Sequence, residues 1–303
     1  MEIQSNSTSL FPYFLAILSN LCFGTASIQF SQFANRFSAA WMNQLKVTVA
    51  LLGFLGAFFI FENYVPLNAS AYAGILGSGI IGLFLGDWFL FQAFANLGAT
   101  RTLVIYSFQP FLIALYGVLF LNQSLSQLQF LAILCMIGCV FTFLLERNKE
   151  VGHWDLRNFS FAFLGIFFDA LGVVLSRQAY EEFPEMGSFQ ANGLRAVGAV
   201  VAFILFRPFS MKFIYRDLIS LSSRLRFQVI GASLLGTFLS LSFYLHALKT
   251  AHVASLTAIS ITGPLWVSLI EHVRGRKWPS KYLWVAFGFF LTGFLFLSRS
   301  VIQ

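Results

Sequence analysis

Charged residues are scarce in this chain of 303 residues: they make up 10% of it, whereas hydrophobic residues make up 58%. Mean hydropathy is +0.77, and phenylalanine alone occurs 39 times. A water-soluble protein of this length covers itself with charged side chains, so this composition excludes an ordinary soluble fold. The sequence therefore predicts that the lipid bilayer is the solvent for most of the chain.

Cysteine is also rare, and its placement argues against chemistry. Cys22, Cys135 and Cys139 all lie in apolar runs, and no histidine or carboxylate accompanies them at the spacing of a metal site. We expect the three thiols to pack between helices rather than to serve redox or metal chemistry. We accordingly expect no metal and no cofactor.

Residues 1–10 contain no lysine or arginine, so we expect no cleavable leader segment. The polar residues 1–10 run directly into an apolar stretch of full membrane length, which predicts that the first span is retained as an insertion signal. The formal net charge of +7 does not indicate nucleic acid, because the basic residues lie in short loops between apolar runs. Membrane lipids with anionic headgroups are the expected partners.

Apolar runs of about 20 residues, the length needed to cross a bilayer, recur along the whole chain. We number the ten predicted spans in order: 12–32, 39–61, 71–95, 101–120, 125–146, 158–180, 187–207, 227–248, 252–273 and 279–299. Only two connecting segments are long enough to lie on the membrane surface, Arg147 to Arg157 and Pro208 to Arg226. The second mixes apolar and basic residues, which is typical of an interfacial amphipathic helix.

Several unusual residues recur at nearly constant shifts of 149 to 154 positions. Gly82 corresponds to Gly236, Pro110 to Pro264, Asn43 to Asn192 and Lys46 to Arg195. Each copy would contain five spans, and because five is odd, the second copy would enter the membrane from the opposite side. The sequence thus predicts an all-α integral membrane protein of ten transmembrane helices, built as two inverted five-helix repeats over residues 1–150 and 151–303.

Small residues recur every four positions in spans 3 and 8, which predicts close helix contacts there. They are Gly74, Ser78, Gly82 and Gly86 in span 3, and Ala232, Gly236 and Ser240 in span 8. The glycines at 77, 79 and 82 also fit a G-x-G-x-x-G pattern. No strand precedes them, so we interpret this match as chance.

The order of these features resembles the drug/metabolite transporter superfamily, in its ten-helix EamA-type branch. The residues that carry the resemblance in the first repeat are Gly86-Asp87, Phe91-Gln92-Ala93-Phe94, Leu97-Gly98-Ala99-Thr100-Arg101, Pro110 and Gly138, and the second repeat echoes them with His246-Ala247-Leu248, Pro264 and Gly293. The family often has a Gly-Glu-Arg-like turn after spans 4 and 9. Here those places read Leu121-Asn122-Gln123 and Gly275-Arg276-Lys277, which weakens assignment to a subfamily.

The resemblance implies a bundle with a pseudo-twofold axis, in which spans 1–4 and 6–9 surround a central cavity and spans 5 and 10 lie at its periphery. It also implies a function, since members of the superfamily carry amino acids, nucleotide-linked sugars, sulfonium metabolites and similar solutes. Some of them work by exchange and some with protons.

Charged residues within a span are costly and are candidates for function by default. Lys46 in span 2 and Asp87 in span 3 lie at similar depth, and Arg195 in span 7 and Asp169 in span 6 repeat the pattern. Each pair could neutralise itself and hold helices together. Alternatively, the two cations attract a carboxylate or phosphate of the substrate, while a carboxylate binds its amine or a proton.

Other polar residues could complete a substrate site or could bond to neighbouring helices. The candidates are Asn20, Asn43, Gln92, Tyr106, Gln109, Asn192, Tyr244 and Trp266. Pro110 and Pro264 interrupt the hydrogen bonding of their helices at matched positions, which is consistent either with gating hinges or with structural kinks. Glu271 and His272 lie at the edge of span 9 beside arginines and favour an interfacial salt-bridge cluster over a metal or proton site.

Lysine and arginine are distributed unequally between the two faces of the membrane. Fourteen lie on the face that holds the loops after spans 1, 3, 5, 7 and 9, three lie on the face of the termini, and Lys46 and Arg195 complete the 19. This count predicts that both termini are extracytoplasmic, whereas the family more often keeps them in the cytoplasm. We expect a multi-pass protein of the inner (plasma) membrane, as a monomer or weak homodimer.

The sequence therefore predicts a secondary transporter that exports small polar metabolites, amino-acid-like or otherwise zwitterionic or anionic, by alternating access, with proton coupling or exchange. An uptake permease or facilitator is the alternative within the same superfamily. A membrane-embedded enzyme is a more distant alternative, because the sequence has neither H-E-x-x-H nor G-x-S-x-G. A pore or a structural subunit would also fit the composition.

Overall fold

The computed structural model describes residues 11–106, 108–109, 112, 116, 127–151, 155–208, 210–250, 262–275 and 280–302. All regular structure in this part of the chain is helical. The helices are α1 Phe11–Arg36, α2 Ala39–Phe61, α3 Ala69–Leu97, α4 Ala99–Tyr106, α5 Gln127–Val151, α6 Leu156–Glu182, α7 Ser188–Phe206, α8 Ser210–Ser220, α9 Ser223–Thr250, α10 Thr262–Gly275 and α11 Lys281–Ile302.

Side-chain caps define several helix starts. The hydroxyl of Ser38 accepts from the N–H of Trp41 at the start of α2, and the Asn68 side chain accepts from the N–H of Ala71 at the start of α3. These contacts satisfy backbone donors that have no partner within the helix. Gly98 separates α3 from α4 with a φ of +84°, a conformation that favours glycine.

Six helices within the described ranges are long and apolar enough to cross a membrane: Phe14–Arg36, Ala39–Phe61, Ala69–Leu97, Leu156–Glu182, Ser188–Phe206 and Ser223–Ala247. They correspond to predicted spans 1, 2, 3, 6, 7 and 8. Large parts of predicted spans 4 and 9 lie outside the described residues. The remaining predicted spans, 5 and 10, coincide with α5 and α11.

Helices α3 and α9 each contain a π-helical segment, at Gly79–Gly86 and at Leu234–Leu239. Such segments are rare and often lie at functional sites. Gly82 and Gly236, which the sequence comparison had aligned with each other, lie within these two segments. The corresponding parts of the two halves of the chain therefore share the same local irregularity.

Small residues in these segments bring helices into close contact, as the sequence predicted. A Cβ on Gly79 would stand 1.8 Å from the carbonyl oxygen of Arg195, so α3 and α7 meet backbone to backbone. A Cβ on Gly236 would stand 2.3 Å from the Cβ of Ala26, which joins α9 to α1. Gly74 does not take part, since no described atom lies within 4 Å of its Cβ position.

The α5 and α11 helices pack extensively against each other. A Cβ on Gly138 would touch the ring of Phe289 at 2.9 Å, and one on Gly293 would stand 2.9 Å from the Cβ of Cys135. Glycines at matched places in the two halves therefore form this contact. The cysteine packs there as the sequence predicted.

The predicted surface segment contains α8, Ser210–Ser220. Met211, Phe213 and Tyr215 are exposed, and Ile214 is buried against a core cluster that includes residues of α1, α2 and α3. The expected helix is thus confirmed between Pro208 and Arg226. The other predicted surface segment begins within α5, which extends to Val151.

Candidate functional site

The interior of the bundle holds four charged side chains that the sequence had singled out. Lys46, Asp87, Asp169 and Arg195 are 2%, 6%, 8% and 1% exposed, and they lie on α2, α3, α6 and α7 respectively. Asp87 lies within electrostatic reach of the other three. Both halves of the chain therefore contribute to a single charged cluster.

Lys46 and Asp87 form an ion pair, as one of the two interpretations of the sequence had it. The Lys46 ammonium donates to the Oδ2 atom of Asp87 over 2.6 Å. The same ammonium lies 4.9 Å from the ring centre of Phe91 and 5.9 Å from that of Phe30. Aromatic faces attract cations, so the two rings add to the stabilisation of this buried charge.

Arg195 and Asp169 do not neutralise each other, so the self-neutralising interpretation does not hold for the second cation and carboxylate. Asp169 makes no ion pair with Arg195; its Oδ2 atom instead accepts hydrogen bonds of 2.6 Å from the hydroxyl of Tyr106 and from the side-chain amide of Gln109. Two neutral donors from the first half of the chain thus hold the carboxylate of the second half. Among the described residues, Asp169 forms no ion pair.

Arg195 is the most deeply buried of the four charges. Its Nε and Nη1 atoms have no hydrogen-bond partner in the described part of the chain. The Nη2 atom lies 3.5 Å from the Cβ position of Gly82, and the Oδ1 atom of Asp169 lies 3.4 Å from the same point. A buried guanidinium without acceptors is costly, so these donors are suited to an anionic group.

Asn43 and Asn192 act as links between helices. The amide of Asn43 donates to the carbonyl oxygens of Leu83 and Phe84 in the π-helical segment of α3, at 3.1 Å each. The amide of Asn192 donates to the carbonyl oxygen of Leu241 in α9 over 3.2 Å. Of the two interpretations of these asparagines, the structure favours the bond to a neighbouring helix.

The remaining candidates are more scattered. Tyr244 lies on α9 within electrostatic reach of Asp169 and Arg195. Asn20 donates to the carbonyl of Ala16 within α1, whereas Gln92 is half-buried on α3 with no hydrogen bond joining its side chain to the cluster among the described residues.

Trp266 lies at the contact between α10 and α1. It is 37% exposed, and its indole N–H donates to the hydroxyl of Thr25 over 2.8 Å. Pro264 is buried in the first turn of α10 as described, Thr262–Gly275. Pro110, its matched residue, lies outside the described residues.

Sequence reasoning missed Gln44, the neighbour of Asn43 on α2. It is 1% exposed, and neither its Oε1 nor its Nε2 atom has a partner in the described residues. An uncharged amide in an apolar run gave a weak signal. Its place two residues before Lys46 was the available clue.

Glu62 was missed as well, because it follows span 2 in a loop. Its two carboxylate oxygens accept the backbone N–H groups of Phe189 and Gln190, at 3.0 and 2.8 Å, at the start of α7. The Gln190 side chain also exchanges two hydrogen bonds with the backbone of Val65. We call these contacts the Glu62 latch; it joins the loop after α2 to the start of α7, and so joins the two halves of the chain.

Other groups outside the membrane lie close to the latch or on the opposite face. Near the latch, a hydrogen bond with Tyr72 raises the pKa of Tyr64. On the opposite face, the hydroxyl of Thr100 bonds to the carboxylate of Glu271, which links α4 to α10. Arg101 pairs with Glu146 at 3.1 Å. Both faces of the bundle thus have polar contacts between helices that are far apart in the sequence.

The sequence profile of the EamA-like transporter family matches this chain twice, over residues 10–145 and 157–299. The chain belongs to the EamA-like transporter family. It is therefore a multi-pass membrane transporter of the drug/metabolite superfamily, as the resemblance implied. No curated protein matches it.

A solved crystal structure, described only as that of a protein, shares the fold. It superposes with a TM-score of 0.66 at 15% sequence identity, and the match covers 96% of this chain and 99% of the other. At this identity the likeness concerns the fold alone.

Proposed function

We propose that this protein is a secondary transporter that exports small zwitterionic or anionic metabolites by alternating access, and that Arg195 and Asp169 bind the two ends of a zwitterion. The observation that carries the proposal is the buried guanidinium of Arg195, whose Nε and Nη1 atoms have no partner in the described structure. A substrate carboxylate would supply the missing acceptors. Arginine binds carboxylates well because its planar donors match them in pairs.

The division of charge within the cluster supports a zwitterion. Lys46 and Asp87 neutralise each other at 2.6 Å, so the site retains one cation, Arg195, and one carboxylate, Asp169. A substrate ammonium would bind Asp169 beside Tyr106 and Gln109. A molecule with both charges satisfies both residues and leaves no net charge in the membrane interior.

The remaining polar candidates have secondary roles in this proposal. Tyr244 lies near both charges and would contact the bound solute. Asn20, Gln92 and Trp266 would line its route, and Asn43 and Asn192 would hold the helices that carry the cations.

Two features support two inverted five-helix repeats, ten spans in all. The π-helical segments occur at matched places, and the contact of α3 with α6 has its counterpart in the contact of α9 with α1. Rocking of one repeat against the other would open the site to each face in turn. Pro110 and Pro264 would serve as the matched hinges.

Proton coupling would use the Lys46 and Asp87 pair. A proton delivered to Asp87 would break the pair and leave Lys46 as a second cation beside the site. Coupling by exchange needs no such step. A pH gradient imposed across liposomes separates the two, because only the first mechanism drives net accumulation of the solute.

The orientation follows from the charge count of the loops. Both termini would be extracytoplasmic in the plasma membrane, and the protein would act as a monomer or weak homodimer. Reporter fusions at Gln303 test this. Alkaline phosphatase is active only in the periplasm, so we expect its fusion to be active. A fluorescent protein that folds only in the cytoplasm should give no signal. An uptake permease or facilitator is the second candidate, and the direction of flux in cells distinguishes it.

The proposal is tested by counterflow in liposomes. Purified protein is reconstituted with unlabelled L-alanine inside, and entry of labelled L-alanine is followed. We expect saturable accumulation that competing zwitterions inhibit and that L-alaninamide and propionate, which each lack one charge, inhibit weakly. Equal inhibition by all three compounds would contradict the two-ended site, and accumulation that never saturates would indicate a pore.

A further inference from the structure

Gly82 lies beside Asp169 and Arg195, the two charged residues that bind the substrate in the proposed function. A Cβ on this residue would stand 3.4 Å from the Oδ1 atom of Asp169 and 3.5 Å from the Nη2 atom of Arg195. The third nearest atom is the Cα of Gly172, at 3.7 Å. A methyl group there would lie across the gap between the carboxylate and the guanidinium.

The local structure fixes Gly82 in this place. Gly82 lies within the π-helical segment Gly79–Gly86, and the next two residues, Leu83 and Phe84, have their carbonyl oxygens bound by the amide of Asn43. At the start of the segment, Gly79 meets the backbone of Arg195. The segment is thus held on both sides, and it cannot easily turn Gly82 away from the charges.

The three distances at Gly82 are ordinary van der Waals contacts, so packing alone does not require glycine at this position. This distinguishes Gly82 from Gly79 and Gly236, where a Cβ would overlap with neighbouring atoms at 1.8 and 2.3 Å. We propose that Gly82 is a specificity-determining residue: its missing side chain leaves room for the part of the solute that joins the ammonium to the carboxylate. This inference rests on the proposed function.

A methyl group at residue 82 would narrow the gap and cover one side of each charged group. Solutes with little bulk between their charges would be affected least. Glycine, L-alanine and α-aminoisobutyrate form a suitable series, because the carbon between their charged groups bears no, one and two methyl groups. Overfilling a packed site typically weakens binding by about tenfold or more.

The experiment compares counterflow of these three probes by the wild type, Gly82→Ala and the control Gly77→Ala. Gly77 lies on the same helix, with no described atom within 4 Å of its Cβ position. We expect Gly82→Ala to raise the half-saturating concentration of α-aminoisobutyrate about tenfold or more, that of L-alanine less, and that of glycine least. Gly77→Ala should match the wild type for all three.

Gly82→Ser provides a second variant in case the alanine does not fold. Its hydroxyl occupies the same space but can donate to Asp169, so it satisfies a polar neighbour while still filling the gap. Chromatography and thermal unfolding in detergent establish that each variant is folded. If folded Gly82→Ala or Gly82→Ser treats the three probes as Gly77→Ala does, the role of Gly82 is wrong although the proposed function stands. If the wild type moves none of the probes, both fall together.

Discussion

Lys46 donates to Asp87 over 2.6 Å inside the bundle, whereas Arg195 makes no ion pair with Asp169. Each half of the chain carries a buried cation and a buried carboxylate, but only those of the first half form an ion pair. The difference arises because Tyr106 and Gln109 from the first half bind Asp169. In the proposed function, the first half supplies an internal neutral pair, and the second half supplies the two charges that bind the solute.

Replacing one member of the Lys46–Asp87 pair should lower stability more than replacing both. In Lys46→Met or Asp87→Leu alone, a buried charge loses its partner, and we expect a loss of about 3–5 kcal/mol in folding free energy. In the double variant no unpaired charge remains, and much of this loss should be recovered. Thermal unfolding of purified protein in detergent measures the effect. A double variant less stable than both single variants would show that the pair contributes more than mutual neutralisation.

The Glu62 latch should stabilise the contact between the loop after α2 and the start of α7. Glu62→Ala removes both acceptors for Phe189 and Gln190 at the start of α7, and the loss of such a cap costs about 1 kcal/mol. We expect a lower unfolding temperature and faster labelling of a cysteine placed at Val65. Glu185→Ala is the matched control, because Glu185 is exposed in the same region. Equal unfolding temperatures and labelling rates for the two variants would mean that the latch does not contribute to stability.

The α3 helix should accept an alanine at Gly74 but not at Gly79, where it packs closely against α7. Gly79→Ala would place its Cβ 1.8 Å from the carbonyl oxygen of Arg195, whereas Gly74→Ala meets no described atom within 4 Å. We expect the first variant to lose most of its folded yield. The second should keep wild-type yield or gain slightly from helix propensity. Size-exclusion chromatography after extraction from the membrane measures the folded yield of each variant. A monodisperse Gly79→Ala protein at wild-type yield would contradict the described contact.

Hydropathy and internal repetition predicted much of the architecture. Apolar runs of spanning length located the described helices, and the small residues of span 3 predicted its close contact at Gly86. The pair of Lys46 and Asp87 was predictable because both lie at similar depth in neighbouring spans. These properties are set by one or two segments at a time.

Contacts between segments that are far apart in the sequence could not be predicted from hydropathy or internal repetition. Asp169 is bound by Tyr106 and Gln109, about 60 residues earlier in the chain, and no periodicity within span 6 indicates those partners. The π-helical segments were missed because hydropathy reports which residues are apolar and not the pitch of the helix. Glu62 was missed because its role depends on where the start of α7 lies in space.

The central claim is that Arg195 binds the carboxylate of the solute and Asp169 its ammonium group. Its most direct test is inhibition of L-alanine counterflow by L-alanine, L-alaninamide and propionate in the wild type and in two variants, Arg195→Gln and Asp169→Asn. Each variant removes one charge and keeps a polar side chain.

Where counterflow by a variant is too slow, the same compounds are titrated by thermal shift. We predict that Arg195→Gln weakens binding of L-alanine about ten- to hundredfold and leaves L-alaninamide unchanged, since charge-assisted hydrogen bonds contribute about 1.5–3 kcal/mol. Asp169→Asn should weaken binding of L-alanine and leave binding of propionate unchanged. If both variants bound all three compounds as the wild type does, the assignment of the two charges to the two ends of the solute would be wrong.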